Sequence, residues 1–169
     1  MLKRILILFI IILLFIFTES IIRIDTNKVS IDKPILINTY KETPIGKLII
    51  NKINLNKDIY SKNSKENTIE KNIQLLKEST NDLIIIAAHS GSGERAFFNN
   101  LNKLKKNDEI TLIINNKTSK YIVKEYWEQK KNGYIDISKE EQDQLILTTC
   151  SPNHQGYQLI VNSIKKESN

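Results

Sequence analysis

From Gly46 onward the chain is written in short runs of β-branched and aliphatic residues, and that pattern constrains its fold more than any other feature. Gly46–Ile50, Ile53–Leu55 and Asp58–Tyr60 have the lengths and alternation of strands. Leu83–Ala88 is a continuous apolar run, the mark of a strand covered on both faces. Glu109–Ile114, Ser119–Glu125 continuing into Tyr126 and Trp127, Gln144–Thr149 and Tyr157–Ile164 supply the later strands. Ile69, Ile73 and Leu76 recur at helical spacing, which predicts roughly two turns of helix over Ile69–Lys77. Ala96–Leu104 reads as a short helix or turn. Many short strands with so little helix predict an all-β domain, a closed or nearly closed barrel, and not an α/β layer fold.

The N-terminus is of another kind. Met1–Arg4 is a short basic leader, followed by an unbroken apolar run from Ile5 to Phe17 and a weaker tail through Ile21, Ile22 and Ile24. No small-residue cleavage site of the A-x-A type follows, so residues 1–24 are expected to form an uncleaved signal-anchor, a transmembrane helix. Lys3 and Arg4 would hold the N-terminus in the cytoplasm and leave the rest extracellular on a single-pass membrane protein. Residues 25–43, with isolated apolar positions and Pro34, read as a linker or N-terminal arm. Residues 44–166 form the domain.

A length of 169 residues suits one domain with a real core. The net charge of +6 could suit an anionic partner, but the lysines are scattered among Asn, Ile and Glu with little aromatic interleaving. That is the pattern of a solvated face, and it gives no reason to expect nucleic acid. The single cysteine excludes an internal disulfide framework, and one thiol without ligand spacing points away from a metal site. No cofactor is implied.

Cys150 ends the run Gln144–Thr149, and His89 ends the run Leu83–Ala88 before Ser90–Gly91–Ser92–Gly93. A strand end can present a side chain to solvent without losing backbone pairing. Two such residues are what a Cys/His pair needs, the imidazolium favouring thiolate and later passing a proton to a leaving amine. Residue type alone also allows a packed thiol and a surface imidazole. His154, four residues beyond Cys150 in a turn-rich segment, is a second possible partner.

Leu147–Thr148–Thr149–Cys150 resembles the sortase signature, in which a threonine-rich strand end carries the nucleophile. Ala87–Ala88–His89–Ser90–Gly91 resembles the histidine strand end of that family, and Phe97–Leu101 and Lys105–Asp108 continue it. Ile45–Ile53 is similar to its first barrel strand, so the likeness runs in order from about Pro44 to Ile164. The resemblance implies a closed eight-stranded sortase-type β-barrel with one or two short helices behind an N-terminal transmembrane helix. It implies a cysteine transpeptidase of Gram-positive bacteria that cuts a Leu-Pro-x-Thr-Gly-like sorting signal. Cys150 would form the thioacyl enzyme. His89 would protonate the departing amine, and an amine of a cell-wall precursor or a pilin subunit would resolve the intermediate.

One position departs from the family. Where sortases carry an arginine on the strand after the cysteine, this chain has Gln158, whose amide can donate to an oxyanion without the charge. Arg95, the arginine in the loop after His89, is the other candidate. The departure keeps two alternatives in view: a catalytically impaired, peptide-binding sortase-like domain, and a membrane-tethered domain that binds wall polymer. By the same likeness Glu128–Asp143 forms the loop that shapes substrate choice, with Ile135 and Ile137 lining it.

Overall fold

The computed structural model describes residues 42–137 and 142–167. The expected anchor at 1–24 and nearly all of the arm at 25–43 lie outside the described residues. Among the described residues no helix is long and apolar enough to cross a membrane.

The strands are β1 (Gly46–Ile50), β2 (Leu55–Ile59), β3 (Gln74–Leu75), β4 (Leu83–Ala87), β5 (Glu109–Ile114), β6 (Lys117–Lys130), β7 (Gln144–Cys150) and β8 (Tyr157–Lys165). They form one eight-stranded sheet in the order β2-β1-β5-β6-β8-β7-β4-β3. Every neighbouring pair is antiparallel except β4 and β7, which run parallel from Leu83↔Gln144 to Ala87↔Thr148. Gly46 lies so close to β5 that a Cβ there would sit 1.8 Å from the Ile113 carbonyl oxygen, so only glycine fits this crossing. The two ends of the sheet, β2 and β3, share no ladder among the described residues. The barrel is therefore nearly closed, as the strand pattern allowed, where the resemblance implied full closure. Its helical content is two three-residue 3-10 turns, Asn51–Ile53 and Leu101–Lys103.

The helix expected over Ile69–Lys77 does not form. The carbonyl of Thr68 accepts the amides of Lys71 and Asn72 in a single turn, after which the chain extends into β3. The Asn67 side chain acts as a ladder partner there. Its Oδ1 accepts the Leu75 amide at 2.7 Å and its Nδ2 donates to the Leu75 carbonyl at 2.9 Å. Such a side chain competes with helix for the same backbone groups. Ile73 and Leu75 are buried with Gln74 half-buried between them, a period of two that the wider spacing of Ile69, Ile73 and Leu76 concealed.

Alternation sorts the strands onto two faces. The inner face is the main core, with Leu48, Ile50, Ile86, Leu112, Val123, Leu145, Leu147 and Val161, closed at one end by Phe98, Leu101 and Leu104. On the outer face Ile85, Ile146 and Ile160 form a smaller cluster, against which Leu76, Leu83, Trp127, Ile135 and Ile137 pack. Residues Gln144 to Thr149 of β7 are consequently all buried, which is why that run carries no polar alternation.

A bulge in β6 sets which side chains meet on the outer face. Up to Val123↔Ser163 the odd-numbered residues of β6 face inward, and the register then shifts between Val123 and Glu125. Beyond the bulge Tyr126 and Glu128 stand opposite the inner residues Val161 and Leu159, while Trp127 and Gln129 stand opposite the outer ones, Ile160 and Gln158. One inserted residue thus exchanges the two faces of the strand, as the period-two geometry requires.

Candidate active site

Cys150 is the last residue of β7 and is paired directly with Gln158 of β8. Residues directly opposite in an antiparallel ladder point to the same side. Cys150, Gln158, Thr148 and Ile160 therefore share the outer face. β4 and β7 pair in parallel register up to Ala87↔Thr148, so His89 follows the last paired residue of β4 by two, as Cys150 follows Thr148 by two. Both are half-buried.

The connection is fixed by hydrogen bonds that do not involve the reacting atoms. Thr149 Oγ1 donates to the Ala88 carbonyl at 2.7 Å, and Ser90 Oγ donates to the Cys150 carbonyl at 2.8 Å. The Ala88 amide donates to the Thr148 carbonyl, and the Phe98 amide to the His89 carbonyl at 3.0 Å. Threonine in the signature run thus ties the two strand ends together by its side chain. The hydroxyl of Thr148, on the outer face, has no hydrogen-bond partner among the described residues.

The sulfur has a contact that sequence reasoning missed. Lys131 Nζ donates to Cys150 Sγ at 2.9 Å. Among the described residues no hydrogen bond joins the His89 ring to that sulfur. Nothing in the order of residues singles out Lys131 from the other lysines; only the β6 bulge and the β6–β8 pairing bring it to the outer face.

Gln158 and Gln129 are neighbours across β6 and β8, and both amides donate to the Tyr134 carbonyl, at 2.9 and 2.8 Å. Gln129 Oε1 accepts the Asp136 amide at 3.0 Å and Trp127 Nε1 at 3.2 Å. These bonds pin residues 134–136 against the sheet, with Ile135 and Ile137 over the outer cluster. Arg95 is exposed in the loop after His89, and its guanidinium makes no hydrogen bond or ion pair among the described residues.

His154 is engaged elsewhere. Its Nδ1 lies 2.5 Å from Glu128 Oε2, and Asn153 Nδ2 donates to Glu128 Oε1 at 3.0 Å. The His154 hydrogen bond, with further ones from Ser151 and Asn153, holds the Glu128 carboxyl below its usual range despite a small opposing effect of desolvation. Glu128 points to the inner side of the bulged strand, away from the face that carries Cys150. A cavity of about 700 Å³ is lined by Lys62, Asp82, Lys117, Asp143 and Lys165 among others and touches neither Cys150 nor His89. A smaller recess reaches Cys150 between Ser90, Asn99, Asn102 and Pro152. Among the described residues no group of His, Cys, Asp and Glu is placed to hold a metal ion.

A family model for the Sortase domain matches residues 48–164. Among solved structures, sortase C1 from Streptococcus agalactiae is similar with a TM-score of 0.63 at 24% identity, covering 75% of this chain and 69% of that one. A lid mutant of sortase A from Corynebacterium diphtheriae gives 0.62 at 22% identity, over 78% of this chain and 76% of that one. Sortase C from Streptococcus pneumoniae gives 0.63 at 24%, over 74% and 67%. The search of curated proteins found no match.

Proposed function

The chain belongs to the sortase family of cysteine transpeptidases, and from that premise we propose that it cleaves a Leu-Pro-x-Thr-Gly-like sorting signal and transfers the surface protein to an amine. What supports this reading is that β4 and β7 pair in parallel register up to Ala87↔Thr148, with His89 and Cys150 each two residues further along its chain. Cys150 attacks the carbonyl after the signal's threonine. His89 protonates the amine that departs and then deprotonates the incoming one. Gln158 retains a second amide N–H beyond the one given to Tyr134, and that hydrogen is available to the oxyanion.

The acceptor amine is that of a wall precursor or of a pilin lysine. The S. pneumoniae relative is described in terms of pilin substrate specificity, which supports the second source. Residues 1–24 anchor the enzyme as a single-pass protein with residues 44–166 outside the membrane, a reading that rests on the apolar leader and its basic flank.

The test is incubation of the full chain in detergent with a sorting-signal peptide and an amine nucleophile. A thioester at Cys150, absent in Cys150→Ala and reduced about 10²–10⁴-fold in His89→Ala, is the expected result. A wild-type chain that binds the peptide but never acylates would establish the impaired, peptide-binding alternative instead. Neither binding nor turnover with a panel of signals would leave the wall-polymer reading.

A further inference from the structure

We propose that Lys131 is a catalytic residue of this site, its ammonium stabilising the anionic sulfur of Cys150 and supplying the positive charge that Gln158 lacks. The role in acylation rests on the transpeptidase reading; the contact with the sulfur does not.

Three observations converge on it. An ammonium has donors only, so at 2.9 Å from Lys131 Nζ the sulfur is the acceptor, and a thiolate is the better one. The contact has a structural cause: the β6 bulge turns Trp127 and Gln129 to the outer face, and Lys131 follows them. Its backbone is held one residue past the end of β6 by donation of its amide to the Gly156 carbonyl at 2.9 Å. From there the contact spans β8 to reach β7, a backbone separation of about 10 Å at ordinary strand spacing, which the long lysine side chain, the hydrogen bond and the Cys150 side chain bridge together and a short residue at 131 would not.

The third observation is the chemistry left open next to Cys150. Its direct ladder partner, Gln158, is neutral and commits one amide hydrogen to Tyr134. No described carboxylate pairs with Lys131 in competition with the sulfur. The acylation step then balances as follows. The anionic sulfur forms a bond to the carbonyl carbon, the carbon–nitrogen bond breaks, and the departing amine takes its proton from the His89 imidazolium. Lys131 gives up no proton. It holds the negative charge on sulfur before attack and moves within reach of the oxyanion as that charge passes to oxygen.

Because Cys150 is the sole cysteine, alkylation of the full chain by iodoacetamide reads this sulfur alone, whatever the natural substrate. The alkylation rate and the single-turnover rate of thioester formation would be measured at neutral pH for the wild type, Lys131→Gln, Lys131→Arg and Lys130→Gln. Lys131 is exposed, so thermal melting should be unchanged in these variants. Lys131→Gln is expected to slow both rates by about tenfold or more, Lys131→Arg to stay within about threefold of wild type, and Lys130→Gln, on the opposite face, to match wild type. Wild-type alkylation in Lys131→Gln, or an arginine variant no faster than the glutamine one, would overturn the assignment. Slowed alkylation in Lys131→Gln, with no thioester formed even by the wild type, would retain Lys131 as the partner of the sulfur and remove the transpeptidase reading.

Discussion

At the scale of single residues, the site depends on side chains that hold backbone rather than touch substrate. Thr149 Oγ1 is the hydrogen-bond donor to the buried Ala88 carbonyl, immediately before His89. Thr149→Val keeps the volume and removes that donor, and should cost about 1–3 kcal/mol in urea denaturation because a buried carbonyl loses its side-chain partner. The two candidates for the family's missing arginine separate cleanly. Gln158→Ala should lower the rate of thioester formation about 10²-fold by deleting one oxyanion donor, whereas Arg95→Ala should leave it within about twofold. Full activity in the first variant and loss in the second would reverse the assignment. The strand-end positions of Cys150 and His89 are legible because each closes an apolar run; the Lys131 contact is not, because its partner lies two strands away.

Elements are joined at a few points where sequence choice is narrow. Gly46 admits β5 at a distance no Cβ tolerates, so Gly46→Ala should force β1 away from β5 and cost about 3 kcal/mol or more, measured by thermal unfolding. Asp108 fastens the turn after β1 to the start of β5. Its carboxylate takes Lys52 Nζ at 2.9 and 2.7 Å and the Lys105 amide at 2.6 Å. Partial burial raises its pKa, but the Lys52 and Lys105 hydrogen bonds outweigh this and hold it below the usual aspartate value. A depressed folded-state value means that the stabilisation is complete above the unfolded pKa of about 4 and is lost as pH falls through the lower folded value. Asp108→Asn should therefore cost about 1 kcal/mol near neutrality, an amount already discounted for solvent screening, and the difference from wild type should vanish in acid. A deficit that persisted unchanged at pH 2 would assign it to packing. The missed helix at Ile69–Lys77 belongs to this scale as well: apolar spacing suggested it, and one asparagine side chain replaced it with a strand pairing.

Across the whole molecule, one sheet serves two apolar layers, and the face that carries Cys150 is the outer one. Phe98 links the layers to the site. Its ring is fully buried in the main core, while its amide holds the His89 carbonyl. Phe98→Ala should cost about 3–5 kcal/mol, and at temperatures where the variant is still folded it should also slow acylation, through looser placement of His89. Loss of stability with an undiminished rate in the folded fraction would disconnect the core from the site. The outer cluster, covered by Ile135 and Ile137, is where the loop expected to govern substrate choice meets the sheet.

The all-β class, the runs that become β1, β4, β5, β6, β7 and β8, and the strand ends at which Cys150 and His89 stand follow from the sequence alone, because period-two runs and their terminators are local properties. Tertiary structure decided the rest. Whether the sheet closes depends on the pairing of its edges. The face that a residue beyond Lys124 occupies depends on a bulge, since one extra residue inverts every side chain that follows. The cation at the sulfur depends on three strands lying in the order β6-β8-β7, an adjacency that no local pattern encodes.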